Sequence, residues 1–150
     1  MADFSKIHER LFCGAMIKDA SDVAELRAAG ITHVVDACTD DEASLFPPSK
    51  GIELLSNPTK DDGKPKDVDW FEPAIDFAMF ALSVAGNIVM THCRSGHNRG
   101  PSLAYAIMRA QGWSAHKALS RLHRKRHATI GGIRYRADAE KALKELGWIK

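Results

Sequence analysis

Ile88-Val-Met-Thr-His-Cys93-Arg-Ser-Gly-His-Asn-Arg99-Gly-Pro-Ser102 is the stretch that decides the fold. A short apolar run at 88–90 enters it as a strand, and Leu103, Ala106, Ile107 and Ala110, closed by Gly112, leave it as a helix. Between strand and helix lies a loop in which five residues separate Cys93 from Arg99. The backbone N–H groups of such a strand-to-helix turn converge on one centre and bind an anion without a metal. Gly96 and Gly100 permit the positive φ and close backbone approach that the turn demands. Pro101 falls in the first helical turn, where its missing N–H costs nothing, and the helix aims its positive end back at the loop.

A cysteine at the floor of that concavity gains, as a thiolate, from the same donors. Arg99 adds a planar fork that matches two oxygens of a phosphate, which a lysine does not. Arg94, Ser95, Gly96, His97 and Asn98 supply the remaining wall of the loop, and His92 is expected to order it by bonding to backbone carbonyls. His92, Cys93 and His97 match no usual zinc spacing, and a metal there would quench the nucleophile, so no metal or other cofactor is expected. The chain also lacks the Gly-x4-Gly-Lys-Ser/Thr of nucleotide triphosphatases.

On these residues the chain resembles the dual-specificity branch of the cysteine-dependent protein tyrosine phosphatases, whose signature is His-Cys-x5-Arg followed by Ser or Thr. Leu11-Phe12-Cys13-Gly14-Ala15, residues 19–30 and Ile31-Thr32-His33-Val34-Val35-Asp36 are similar to that family's opening strand, first helix and next strand. Residues 57–82 resemble its acid loop and following helix, and 114–146 its last two helices. The resemblance implies hydrolysis of phosphate monoesters in two displacements: Cys93 attacks phosphorus, Arg99 and the loop amides hold the oxygens, and a carboxylic acid protonates the leaving group. One departure stands out. The position after the arginine, where the family's hydroxyl helps the thiolate leave, is Gly100, with Ser102 two residues on. The second step is therefore expected to be slow.

The acid is sought among Ser56-Asn57-Pro58-Thr59-Lys60-Asp61-Asp62-Gly63-Lys64-Pro65, a polar Pro/Gly-bounded segment that reads as a mobile loop after the apolar run at 52–55. Counting back from Phe71 by the resembled family's spacing gives Asp61, with Asp62 as the alternative. Asp67 and Asp69 read instead as the N-terminal residues of the next helix.

With 150 residues, 45% of them apolar, the chain is long enough to bury one core, and 1–150 is read as a single catalytic domain. No apolar run approaches the ~18 residues of a membrane span, and no signal-peptide pattern opens the chain. Three cysteines fit a reducing cytoplasm better than a disulfide framework, and Cys13 and Cys38 read as core residues. A monomer is expected. The net charge of +2 conceals an asymmetry: residues 77–137 contain no Asp or Glu but ten Lys and Arg and five of the seven histidines. Such a window draws anionic substrates. Within it, His123-Arg124-Lys125-Arg126-His127 suits a helix C-terminus, and the resemblance implies that Arg126 contacts a second anion. The same run could serve RNA or anionic lipid.

Strand-like pieces near 11–13, 33–37, 52–55 and 88–92 alternate with helical periods near 20–29, 67–85, 114–123 and 135–146. That alternation predicts an α/β fold, a mainly parallel sheet of four to five strands flanked by helices. The loop at 92–102 then lies at the carboxyl end of a strand, where open α/β sheets place ligands. The expected activity is a phosphatase acting on phosphotyrosine, phosphoserine and phosphothreonine in proteins. Alternatives are an RNA 5′-triphosphatase, since His97-Asn98-Arg99 resembles the loop of cysteine-type RNA triphosphatases, a phosphoinositide or other non-protein phosphatase, and a phosphate-binding module with weak catalysis.

Overall fold

The computed structural model describes residues 1–42 and 51–150. In chain order it has β1 (Phe4–His8), β2 (Leu11–Gly14), α1 (Ala20–Ala28), β3 (His33–Asp36), β4 (Glu53–Ser56), α2 (Val68–Leu82), β5 (Val89–His92), α3 (Arg99–Ala110), α4 (Ala115–Lys125) and α5 (Arg136–Glu145), with 3-10 turns at Asp40–Glu42 and His127–Thr129. The strands form one sheet in the order β1-β2-β5-β3-β4, and only the β1–β2 pair is antiparallel. The expected mainly parallel α/β sheet is thus present, with β5 at its centre. The strand β1 carries no strong alternation and was not expected from the sequence.

Period-two alternation builds two buried layers on this sheet. Leu11, Cys13, Val35 and Val89 face the cluster that includes Phe71, Ile75, Leu103, Ile107 and Leu143 from α2, α3 and α5. Phe12, Val34 and Met90 face the smaller cluster of Val23 and Leu26 from α1. Each large aliphatic side chain buried this way contributes roughly 1.5–3 kcal/mol. A one-residue slip of β5 against β3 would turn Val89 and Met90 to the wrong faces and carry Cys93 with them, so the core itself fixes where the loop begins.

Side-chain caps start the flanking helices where the sequence indicates. Asp19 accepts from Asp22 N, Asp67 from Asp69 N and Ser114 from Lys117 N. The apolar surface of α2 is only partly buried. Phe71, Ile75 and Ala78 are fully covered, but the helix ends at Leu82, and Phe80 and Val84 are exposed. The helix after the loop, α3, is buried over nearly its whole length and crosses β5, α2, α4 and α5. Among the described residues no helix is long and apolar enough to cross a membrane.

Candidate active site

Cys93 directly follows β5 and is 2% exposed. Its N–H donates to Gly14 O at 3.3 Å, and Arg94 O accepts Met16 N–H at 3.0 Å, so the loop is pinned to the end of β2. Gly96 has φ +72°, and a Cβ there would run into Arg126 and the backbone of Gly14; both demands read from the sequence meet at this residue. Gly100 differs. Its φ is not positive, but a Cβ would sit 3.1 Å from the His92 backbone and 3.2 Å from Cys93 N. Thr91 Oγ1 donates to Gly100 O at 2.8 Å, holding the first turn of α3 against β5. Ser102 Oγ is buried and, among the described residues, makes no hydrogen bond.

Arg99 is 3% exposed, and its fork is held by a residue the sequence reading missed. Nη1 donates to Glu42 Oε1 at 2.6 Å and Nη2 to Glu42 Oε2 at 2.7 Å. Nη1 also donates to Thr59 O at 2.9 Å. Among the described residues the Nε–H has no partner, and one N–H of Nη2 is left beside it. These two donors lie parallel on the side of the guanidinium, the geometry that grips two oxygens of one phosphate. Glu42 itself accepts Thr39 N–H at 2.8 Å and Thr39 Oγ1 at 2.9 Å. The hydrogen bonds from Arg99 hold its carboxyl down to about 2, and Glu42 in turn raises Arg99. The only sequence signal for Glu42 is the acidic run at 40–42 just beyond β3, at the same end of the sheet as Cys93.

Arg126 corrects the expectation of a second-anion contact. It is 5% exposed, and its fork is committed inward. Nε donates to Gly96 O at 2.9 Å, Nη2 to Ser95 O at 3.2 Å, and Nη1 and Nη2 to the Asp3 carboxylate at 2.9 and 3.0 Å. Arg126 therefore braces the outside of the phosphate loop, because a helix end that reaches loop carbonyls leaves no donors facing solvent.

The segment expected to be mobile is tied down almost every second residue. Asn57 and Trp70 exchange two bonds, Nδ2 to Trp70 O at 2.8 Å and Trp70 Nε1 to Asn57 O at 3.0 Å. Thr59 O meets Arg99, Gly63 N–H donates to Tyr135 Oη at 3.1 Å, and Lys66 N–H donates to Asp138 Oδ2 at 3.0 Å. Asp61 Oδ1 accepts Asn98 Nδ2 at 2.7 Å and Tyr135 Oη at 3.4 Å. Asp62 points elsewhere, accepting Lys64 N–H and Lys66 Nζ at 3.0 Å each. Lys66 and Lys64 hold Asp62 below its ordinary range.

A cleft of about 380 Å³ is lined by Thr39, Glu42, Asp61, Arg94, Ser95 and Arg99. A second cavity of about 280 Å³ shares Asp61 and Ser95 with it and adds His97, Asn98 and Arg134. Arg94, Ser95 and His97 are exposed along these cavities, whereas Gly96, Asn98 and Arg99 are buried. The carboxylate-free window is less bare in three dimensions than in sequence. Arg99, Arg109 and Arg126 are paired with Glu42, Glu140 and Asp3, all from outside it.

His92 is 0% exposed, and a backbone contact with Cys93 is one of the influences that favour its charged form. Among the described residues neither ring nitrogen finds a well-formed hydrogen bond, and Nε2 stands 3.5 Å from Asp36 Oδ1. Burial pushes this imidazole down, and Asp36 opposes the shift. Among the described residues, Asp36, Cys38 and His92 form the one group of ligand-type atoms within 4.8 Å of one another. Their arrangement follows from register, since Asp36 pairs with His92 across β3 and β5. The group His92, Cys93 and His97 weighed from the sequence is not brought together. Cys13 and Cys38 are buried and free, and burial pushes the Cys13 thiol up to about 12.

Residues 13–137 match the family described as "Dual specificity phosphatase, catalytic domain". The chain belongs to that family, and its chemistry is cysteine-dependent hydrolysis of phosphate esters. Among solved structures, it is similar to human DUSP28 at 22% identity, with 98% of this chain and 97% of that one covered and a TM-score of 0.80. It is also similar to PTPMT1 in complex with PI(5)P, at 16% identity over 96% of each chain with a TM-score of 0.79. Human tyrosine phosphatase-like serine/threonine/tyrosine-interacting protein shares 19% identity, 97% and 99% coverage and a TM-score of 0.80. At these identities the three structures speak to the fold.

Proposed function

We propose that this chain, as a single cytoplasmic catalytic domain, removes phosphate from phosphotyrosine, phosphoserine and phosphothreonine in proteins. In this reading Cys93 attacks phosphorus, and the bond to the leaving oxygen breaks as Asp61 delivers its proton to that oxygen. Water then attacks the cysteinyl-phosphate, giving its proton to Asp61 and returning Cys93 as a thiolate. Arg99, Arg94 and the loop amides of 94–99 carry the charge on the phosphoryl oxygens through both steps. The observation that carries the reading is the pairing of an orphaned lateral fork on Arg99 with a carboxyl, Asp61, across one cleft. Buried, unpaired cysteines are compatible with the reducing compartment proposed.

A phosphoinositide is the second reading, supported by the similarity to a structure solved with PI(5)P and by the basic side chains Lys60, Arg94 and Arg134 around the cavities. RNA with a 5′-triphosphate would use the same charges. Turnover on phosphopeptides, phosphoinositides and triphosphate-ended RNA separates these substrates, with Cys93→Ser as the inactive control and trap. The protein-phosphatase reading expects phosphopeptides to be turned over with the highest kcat/KM. A preference for either of the others by an order of magnitude would replace it. Phosphopeptide binding without turnover of any substrate would make the chain a binding module.

A further inference from the structure

Asp61 sits on a segment without regular structure and is exposed, yet a proton donor must be held at one place to be useful. Two donors from different parts of the chain converge on a single oxygen of its carboxyl. Asn98 Nδ2 reaches Oδ1 at 2.7 Å and Tyr135 Oη reaches the same atom at 3.4 Å.

The first donor is unusual in its position. Asn98 is the N-cap residue of α3, where asparagine ordinarily accepts from its own helix, but it makes no capping bond. Its Oδ1 accepts Arg134 N–H at 2.6 Å instead. One end of the amide is therefore claimed as an acceptor and the other as a donor, which fixes its orientation. Asn98 is also buried between His97 and Arg99, so the phosphate loop itself reaches out to the acid.

The second donor is fixed as firmly. The Tyr135 ring is 2% exposed and packs edge-on against Trp70 with ring centroids 5.9 Å apart. Its oxygen accepts Gly63 N–H, which leaves its own proton for Asp61 Oδ1. The segment bearing Arg134 and Tyr135 is clamped to the loop, since Ile133 N–H donates to His97 O at 3.3 Å. Ile133 has φ 57°, a conformation that a buried β-branched residue adopts only where its surroundings enforce it.

We propose that Asn98 and Tyr135 are positioning residues for proton transfer by Asp61. They hold the carboxyl through Oδ1 and leave Oδ2 to carry the proton to the leaving oxygen. Both bonds strengthen as the carboxyl becomes a carboxylate, so they favour the state that follows proton release over the state that precedes it. The inference rests on the reading of Asp61 as the acid.

The test is kcat and kcat/KM on aryl phosphates ranging from good to poor leaving groups, with competitive inhibition by inorganic phosphate measured alongside. Asp61→Asn sets the scale, with a loss of about 10²–10⁴-fold on the poorest leaving group and little on the best. Tyr135→Phe is expected to lose about fivefold on poor leaving groups and little on the best, and Asn98→Ala, which also loosens the loop, about tenfold more on poor leaving groups than on good ones. Inhibition by phosphate stays unchanged in Tyr135→Phe, which keeps the ring and its packing. Asp62→Asn behaves as wild type. If Asp61→Asn shows the leaving-group dependence while Tyr135→Phe and Asn98→Ala slow every substrate equally, the two residues are structural and the proposal is overturned. If Asp61→Asn itself shows no such dependence, the reading of the acid is what fails, and the proposal fails with it.

Discussion

The phosphate loop and the acid segment face each other across one cleft and are held by different means. The loop at 93–99 grows out of a central strand and runs straight into a buried helix, so both its ends are fixed by regular elements next to it in sequence. The segment at 57–66 has no regular structure, and side chains from the starts of α2, α3 and α5 (Trp70; Asn98 and Arg99; Tyr135 and Asp138) hold it. Local sequence starts and ends the loop, and remote ties from Gly14, Glu42 and Arg126 brace it, whereas Asp61, the proposed proton donor, has no regular element beneath it and is held by remote ties alone.

Removing the ties on each side is the way to break this contrast. The largest effect is expected at Glu42, whose loss leaves the buried Arg99 charge unpaired. Glu42→Ala should cost about 3–5 kcal/mol in a denaturant melt, with loss of turnover as the Arg99 fork swings free. The same pair gives a pH signature. Because the folded carboxyl is held down to about 2, its stabilisation is complete above its ordinary range and drains away as pH falls toward that value. Wild type should lose melting temperature on acidification below about pH 5, and Glu42→Gln should lack that part of the decline. A melting curve of identical pH slope in the two proteins would contradict the pairing.

Arg126 comes next. Arg126→Met keeps the bulk of the side chain but strips the donors from Ser95 O and Gly96 O, at an expected cost of about 1–3 kcal/mol. Turnover should fall because the loop slackens, and phosphate inhibition should weaken in parallel; weaker inhibition without loss of stability would restore a direct contact with anions. The smallest effect is expected at Gly100. With glycine rather than a hydroxyl residue after Arg99, and with Ser102 Oγ unpartnered among the described residues, phosphoenzyme hydrolysis should be the slower step. Stopped-flow traces should then show a burst of leaving group equal to the enzyme concentration, and a linear trace would remove that idea.

What could be read from the sequence follows the same division. The strand-loop-helix at 88–112, the helix start at Asp67 and the parallel sheet come from periodicity and local chemistry, and they appear where expected. Glu42, Tyr135 and Asp3 were invisible because each acts on a residue more than fifty positions away. Arg126 was misjudged for the same reason. A cation in a basic run reads as free to meet an anion until the loop carbonyls that take up its donors are known. The choice between Asp61 and Asp62, adjacent in sequence, turns on which of them reaches Asn98 and which Lys66.

The central claim is that Cys93 carries the phosphoryl group between the two displacements. Acid-quenched intact-mass spectrometry during turnover of an aryl phosphate tests it directly. One phosphoryl group should appear on wild type, map to Cys93, and be absent from Cys93→Ser, which should not turn over. A Cys93→Ser protein that still hydrolyses the substrate, or phosphate mapped to any other residue, would contradict the account.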